Sequence, residues 1–139
     1  MFGIARDADR MAEVFAHVPG GKYSSVDISD PAACRRAVAD CVAEFGRLDI
    51  LANIAGFHQM RHTPTMTDED WDRDLAVNLN GPFYLCRAAL PHLLESGGNI
   101  VNVASIAGGV ELLLQAPTSM NASANLFIWG RYQKSTPRL

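Results

Sequence analysis

The chain has 139 residues, enough for one modest domain and hardly for two. Hydrophobic residues make up 48% and charged residues 19%, an ordinary composition for a soluble protein, and with a formal net charge of −3 nothing suggests the basic stripe that a nucleic-acid binder needs. No apolar run approaches the roughly 20 residues of a membrane-spanning helix, so neither nucleic acid nor membrane is an expected partner.

"MFGIA" at the start reads as a strand. From Asp7 the pattern turns helical: Met11, Val14, Phe15 and Val18 share a face, and "PGG" at Pro19 to Gly21 stops it. "YSSVDIS" is the next strand. Asp30 then caps a helix with Pro31 at its first position, where a missing N–H is harmless. Cys34, Ala37, Val38, Cys41, Val42 and Phe45 form its apolar stripe, and Gly46 closes it. "LDILAN" reads as a buried strand, and a loop runs from Gly56 to Met66.

Thr67 with Asp70 resembles a capping box. It opens a long helix through "WDRDLAVNLNGPFYLCRAALPHLLES", expected to bend near Gly81–Pro82 and near Pro91. "GGNIVNVAS" supplies a turn and a further strand. Charge runs such as "RDADR" and "DEDWDRD" read as solvated helix faces. Alternating strands and helices are the grammar of a parallel sheet with helices on its faces and right-handed crossovers.

Cys34, Cys41 and Cys86 are too scattered for a disulfide framework. Cys34 and Cys41 share a helix and stand about 10 Å apart along its axis, too far to bridge. All three read as small buried residues, which suits a reducing compartment. The opening "MFGIARDADR" carries no secretory pattern, so the cytoplasm is expected. His58 and His62 have i, i+4 spacing but sit in loop beside Pro64 with no third ligand, so no metal site is expected.

Three segments in order carry a resemblance. "GRLDILANIAG", Gly46 to Gly56, resembles the G-x-L-D-x-L-V-N-N-A-G signature of the short-chain dehydrogenases/reductases. "WDRDLAVNLNGPFYLCRAALPHL" is similar to that family's next long helix, with Asn78 in its V-N-x-x-G position. "GNIVNVASIAG", Gly98 to Gly108, resembles its G-x-I-V-N-x-x-S-x-x-G strand and turn, and "VDISDPA" resembles its V-D-V-T-D strand end. The resemblance covers roughly Met1 to Asn125, leaving 126–139 as an irregular or diverged tail.

It implies a doubly wound, Rossmann-like α/β sheet and hydride transfer between a nicotinamide and an alcohol or carbonyl carbon. Ser105 is implied to polarise the substrate oxygen, and Asn78 to hold a water in a proton relay. Asn53, Ala55 and Gly56 are implied to line the cofactor, although an asparagine there also ties neighbouring strands together. Asp27 and Ile28 match positions at the adenine edge; an aspartate there also caps its own turn. Arg6 stands where a cation favours the 2′-phosphate of NADP over NAD, or serves as a helix-entry surface charge. NADP is thus the expected cofactor, with NAD the alternative.

Two parts of the family's machinery are not in these residues. The proton donor should be a Tyr-x-x-x-Lys pair, in which the ammonium makes a phenol of pKa about 10 usable at neutral pH. The best match, "MNASA", puts Met120 and Ala124 in those places, and shifting the register puts Thr118 and Ala122 there. Tyr132 and Lys134 are too close in sequence to share a helix face. The family's first strand and its glycine-rich phosphate turn, and its last strands, also find no match. An incomplete sheet lacking its first and last strands is therefore expected, with unpaired edges and apolar faces. Weak or lost NADP binding and little or no turnover follow. The alternative is a non-catalytic module that self-associates through the helix 81–95.

Overall fold

The structure, a computed structural model, describes residues 1–58 and 62–104. It contains β1 (Phe2–Ala5), α1 (Ala8–Phe15), β2 (Lys22–Ser25), α2 (Pro31–Phe45), β3 (Ile50–Asn53), a single 3-10 turn (Thr63–Thr65), α3 (Asp68–Leu75), one π-helical turn (Ala76–Asn80), α4 (Gly81–Ser96) and β4 (Asn99–Asn102). No described helix is long and apolar enough to cross a membrane.

The strands form two separate pairs. β1 lies parallel to β2, with Phe2 opposite Lys22 and Ala5 opposite Ser25. β3 lies beside β4, and the register advances along both strands together, from Asn99 N–H on the Asp49 carbonyl to Val103 N–H on that of Asn53, each at 2.9 Å. Among the described residues no strand joins the pairs, so β1 and β3 each have one partner, as an incomplete sheet requires.

Two compact units result. The first contains Met1–Leu51 with Tyr84–Asn99. Its core is Val26, Ile28, Cys34, Ala37 and Val38, with Leu85, Cys86, Ala89 and Leu93 from α4. α2 starts on the Asp30 carboxylate, which accepts from Ala32 N–H at 2.7 Å, and ends at Gly46 with φ 74°. Only glycine takes that left-handed backbone without penalty. Of the described residues, the second unit contains 52–58, 62–83 and 100–104. There Thr67 and Asp70 close the expected capping box on α3.

Several expectations need correction. α1 ends at Phe15 rather than Val18, because His17 and Val18 switch to i→i+3 bonds with Val14 and Phe15. It buries no residue fully, and Val14 is exposed. The second strand stops at Ser25, where the Asp27 carboxylate turns the chain. Cys41 is only half-buried, unlike Cys34 and Cys86. β3 is not a buried strand: among the described residues it has one neighbour, which leaves an edge unpaired, and Ile50 is 61% exposed. The long helix is interrupted earlier than Gly81, by the π turn from Ala76 to Asn80. Finally, "DEDWDRD" is not solvated throughout, since Asp74 is buried.

Candidate functional site

Within the first unit, Arg6 follows β1 and Asp27 lies just beyond β2. Both therefore stand at carboxyl ends of parallel strands, where open α/β sheets bind ligands. The Ser25 hydroxyl donates to the Arg6 carbonyl and Val26 N–H to that of Ala5, each at 2.8 Å, tying the two strand ends together. One Asp27 oxygen accepts from the Ser29 N–H at 2.9 Å and the Ser29 hydroxyl at 2.7 Å. That is the turn-capping role, and it holds the exposed carboxylate in a fixed position. The Ile28 side chain is core, and its carbonyl accepts from the Cys34 thiol at 3.2 Å, so only main chain at Ile28 could meet a ligand. Burial, with Asp30 and Asp27 adding, pushes that thiol up to about 11. Cys34 therefore stays protonated and is no nucleophile.

Within the second unit, the residues after β3 are held from two sides. The Asn53 amide donates to the Asn102 side-chain oxygen at 2.7 Å, joining the ends of β3 and β4. Asn78, buried in the π turn, grips the Phe57 peptide reciprocally. It accepts from Phe57 N–H at 2.8 Å and donates to the Phe57 carbonyl at 2.6 Å. An asparagine side chain has two donor hydrogens and two acceptor lone pairs. This clasp uses one of each, so any relay through Asn78 draws on what is left. The Arg73 guanidinium stands 4.8 Å over the Phe57 ring, a contact worth about 0.5–1 kcal/mol at exposed sites.

Between those anchors, Ile54, Ala55 and Gly56 are exposed. A Cβ built on Gly56 would stand 3.5 Å from the Asn78 side-chain oxygen, which is ordinary contact. Nothing within the fold therefore demands glycine at this position, while the bare backbone is accessible from outside. Such a spot suits close approach of a flat ligand.

The geometry thus brings Asn53, Asn78 and the Ala55–Gly56 turn into one unit, and Arg6, Asp27 and Ile28 into the other. β4 runs to Asn102, three residues short of Ser105. Ser105 itself, the positions Thr118, Met120, Ala122 and Ala124, and the tail 126–139 lie outside the described residues. Three participants were missed in the sequence: Asn102, Phe57 and Asp74. Asn102 sits in a strand pattern where a polar residue is unremarked. Phe57 acts through its peptide, which carries no sequence signal. Asp74 hides in a charged run.

A family model for short chain dehydrogenases matches residues 1–119. D-threitol dehydrogenase of Mycolicibacterium smegmatis is 44% identical over 87 residues, covering 62% of this chain and 34% of that protein. A short-chain dehydrogenase/reductase of Pyricularia oryzae is 44% identical over 104 residues, covering 70% of this chain and 38% of that one. The chain thus spans well under half the length of these curated relatives. Among solved structures, a short-chain dehydrogenase from Streptomyces avermitilis superposes with a TM-score of 0.89 at 27% identity, covering 96% of this chain and 50% of its own.

Proposed function

The chain belongs to the short-chain dehydrogenase/reductase family, and from that premise we propose that it carries the cofactor-side scaffold of an NADP(H)-dependent oxidoreductase acting on an alcohol or carbonyl compound, with little or no turnover of its own. The observation that carries this reading is the exposed Ala55–Gly56 backbone, fixed from behind by the Asn78–Phe57 clasp.

The nicotinamide supplies or accepts the hydride when bound. This chain's residues would do the rest. Asn53 and Asn78 hold the strand end in place, and Ala55 and Gly56 offer it a surface without side chains. Arg6 meets a 2′-phosphate, and Asp27 with the Ile28 main chain meets an adenine edge. Ser105 polarises the substrate oxygen. The step these residues cannot perform is delivery of a proton at neutral pH, because Met120 and Ala124 stand where a phenol and an ammonium are needed. That Cys34, Cys41 and Cys86 are thiols rather than disulfides supports a cytoplasmic setting.

Fluorescence titration of the purified chain with NADPH and NADH tests the cofactor reading. Weak binding that favours NADPH, with the preference lost in Arg6→Ala, is expected. No preference, or one that survives Arg6→Ala, would overturn the assignment to NADP. A second reading, self-association through α4, draws on Leu94, which is 63% exposed on that helix. Sedimentation showing concentration-dependent association without cofactor binding would favour it.

A further inference from the structure

Asp74 is the one buried carboxylate among the described residues, 2% exposed, and neither of its oxygens meets a hydrogen-bond donor. An ionised carboxylate without donors is expensive to bury, whereas the neutral acid is tolerated far better. Burial accordingly raises the Asp74 carboxyl above the ordinary aspartate range; His58 opposes the rise, Asp70 adds to it, and Arg73 opposes it. Asp70 and Arg73 belong to the same helix, and His58 comes from the segment after β3. The π turn that follows α3, Ala76–Asn80, contributes no titratable side chain.

The location gives this acid something to act on. Asp74 stands four residues ahead of Asn78, about one turn along a continuous helical run. Arg73 beside it covers the Phe57 ring, and Asn78 holds the Phe57 peptide at 2.8 and 2.6 Å. Asp74 and Asn78 are thus the two buried positions of this run.

We propose that Asp74 is a proton-operated lock on the Phe57 clasp: as the neutral acid it packs within the second unit and lets α3 and the π turn hold Phe57, and as the carboxylate it loosens that turn. The step is the gain or loss of one proton from solvent, with no other bond made or broken.

The sign follows from linkage. The folded chain binds this proton more tightly than the unfolded chain does. The stabilisation is therefore complete below the unfolded aspartate value of about 3.9, and it is lost as pH rises through the folded-state value. Above the unfolded value, keeping this group protonated or burying its charge is a standing cost.

Hydrogen exchange at the Phe57 amide in the 139-residue chain reads the lock directly, because that N–H donates to Asn78. After correction for intrinsic exchange, protection should fall by up to about tenfold per pH unit between the two values. In Asp74→Asn it should be flat with pH, and the thermal midpoint at neutral pH should exceed that of the unsubstituted chain. The same pH dependence in Asp74→Asn, or none in the unsubstituted chain, would overturn the proposal. The carbon NMR titration of the Asp74 carboxyl in the unsubstituted chain gives a reading that needs no variant. A midpoint above the ordinary aspartate range supports the lock, and one within it refutes it.

Discussion

The two units bury different chemistry. Among the described residues, every buried apolar side chain of the core lies in the first unit, just after β2, on α2 and on α4. Among the described residues of the second unit, apart from Gly81 and Pro82, the buried ones are Asn53, Asp74 and Asn78. One unit is held by area removed from water; the other is held by a few directed bonds. Apolar packing tolerates small shifts and rewards volume. A polar frame is sensitive to geometry and to protonation, and a half-satisfied one is costly. Bonds to Phe57 fix a backbone position that packing alone would leave loose.

The largest expected effect is in the apolar unit. Leu93 is 3% exposed, and Leu93→Ala should lower unfolding free energy by about 2–5 kcal/mol, read by denaturant titration. A loss under about 1 kcal/mol would show that the packing there is looser than described. In the polar unit, Asn78→Ala removes its two hydrogen bonds to the Phe57 peptide and should cost about 1–3 kcal/mol. Protection of the Phe57 amide should vanish with it. If Phe57 stays protected, the clasp is not what holds the strand end.

Asp30→Ala removes the N-cap of α2 and should cost about 1 kcal/mol, measurable as a lower thermal midpoint. The smallest structural effect is expected at Gly56→Ala, within about 0.5 kcal/mol of the original stability, because the added methyl meets only ordinary contact. Its NADPH affinity, in contrast, should drop measurably. Equal affinity would remove Gly56 from the cofactor surface.

How much was legible varies with how local the signal is. α2 could be read nearly to the residue, because Asp30, Pro31, the apolar stripe and Gly46 all lie within it. The capping box at Thr67 and Asp70 was readable for the same reason. The end of α1 was misjudged by three residues, since the apolar face runs on through Val18 after the bonding pattern has changed. β3 looked buried because apolar runs report hydrophobicity, while burial of Ile50 depends on what lies beside the strand.

Asp74 was the instructive failure. Its spacing one helical turn before the buried Asn78 places it on the inward side, but its charged neighbours made solvent the natural assignment. At the candidate site, the side chains of Asn53 and Asn78 could be named from their motif positions. Their partners could not, because Phe57 contributes a peptide and Asn102 comes from a distant strand.

The proposed function is that of a scaffold that presents a cofactor and polarises an oxygen without a proton donor of its own. Nicotinamide oxidation by the purified chain, followed with a panel of aldehydes and ketones at neutral pH, tests this most directly. The account predicts no turnover above that of buffer. Steady NADPH oxidation that disappears in Ser105→Ala would contradict it.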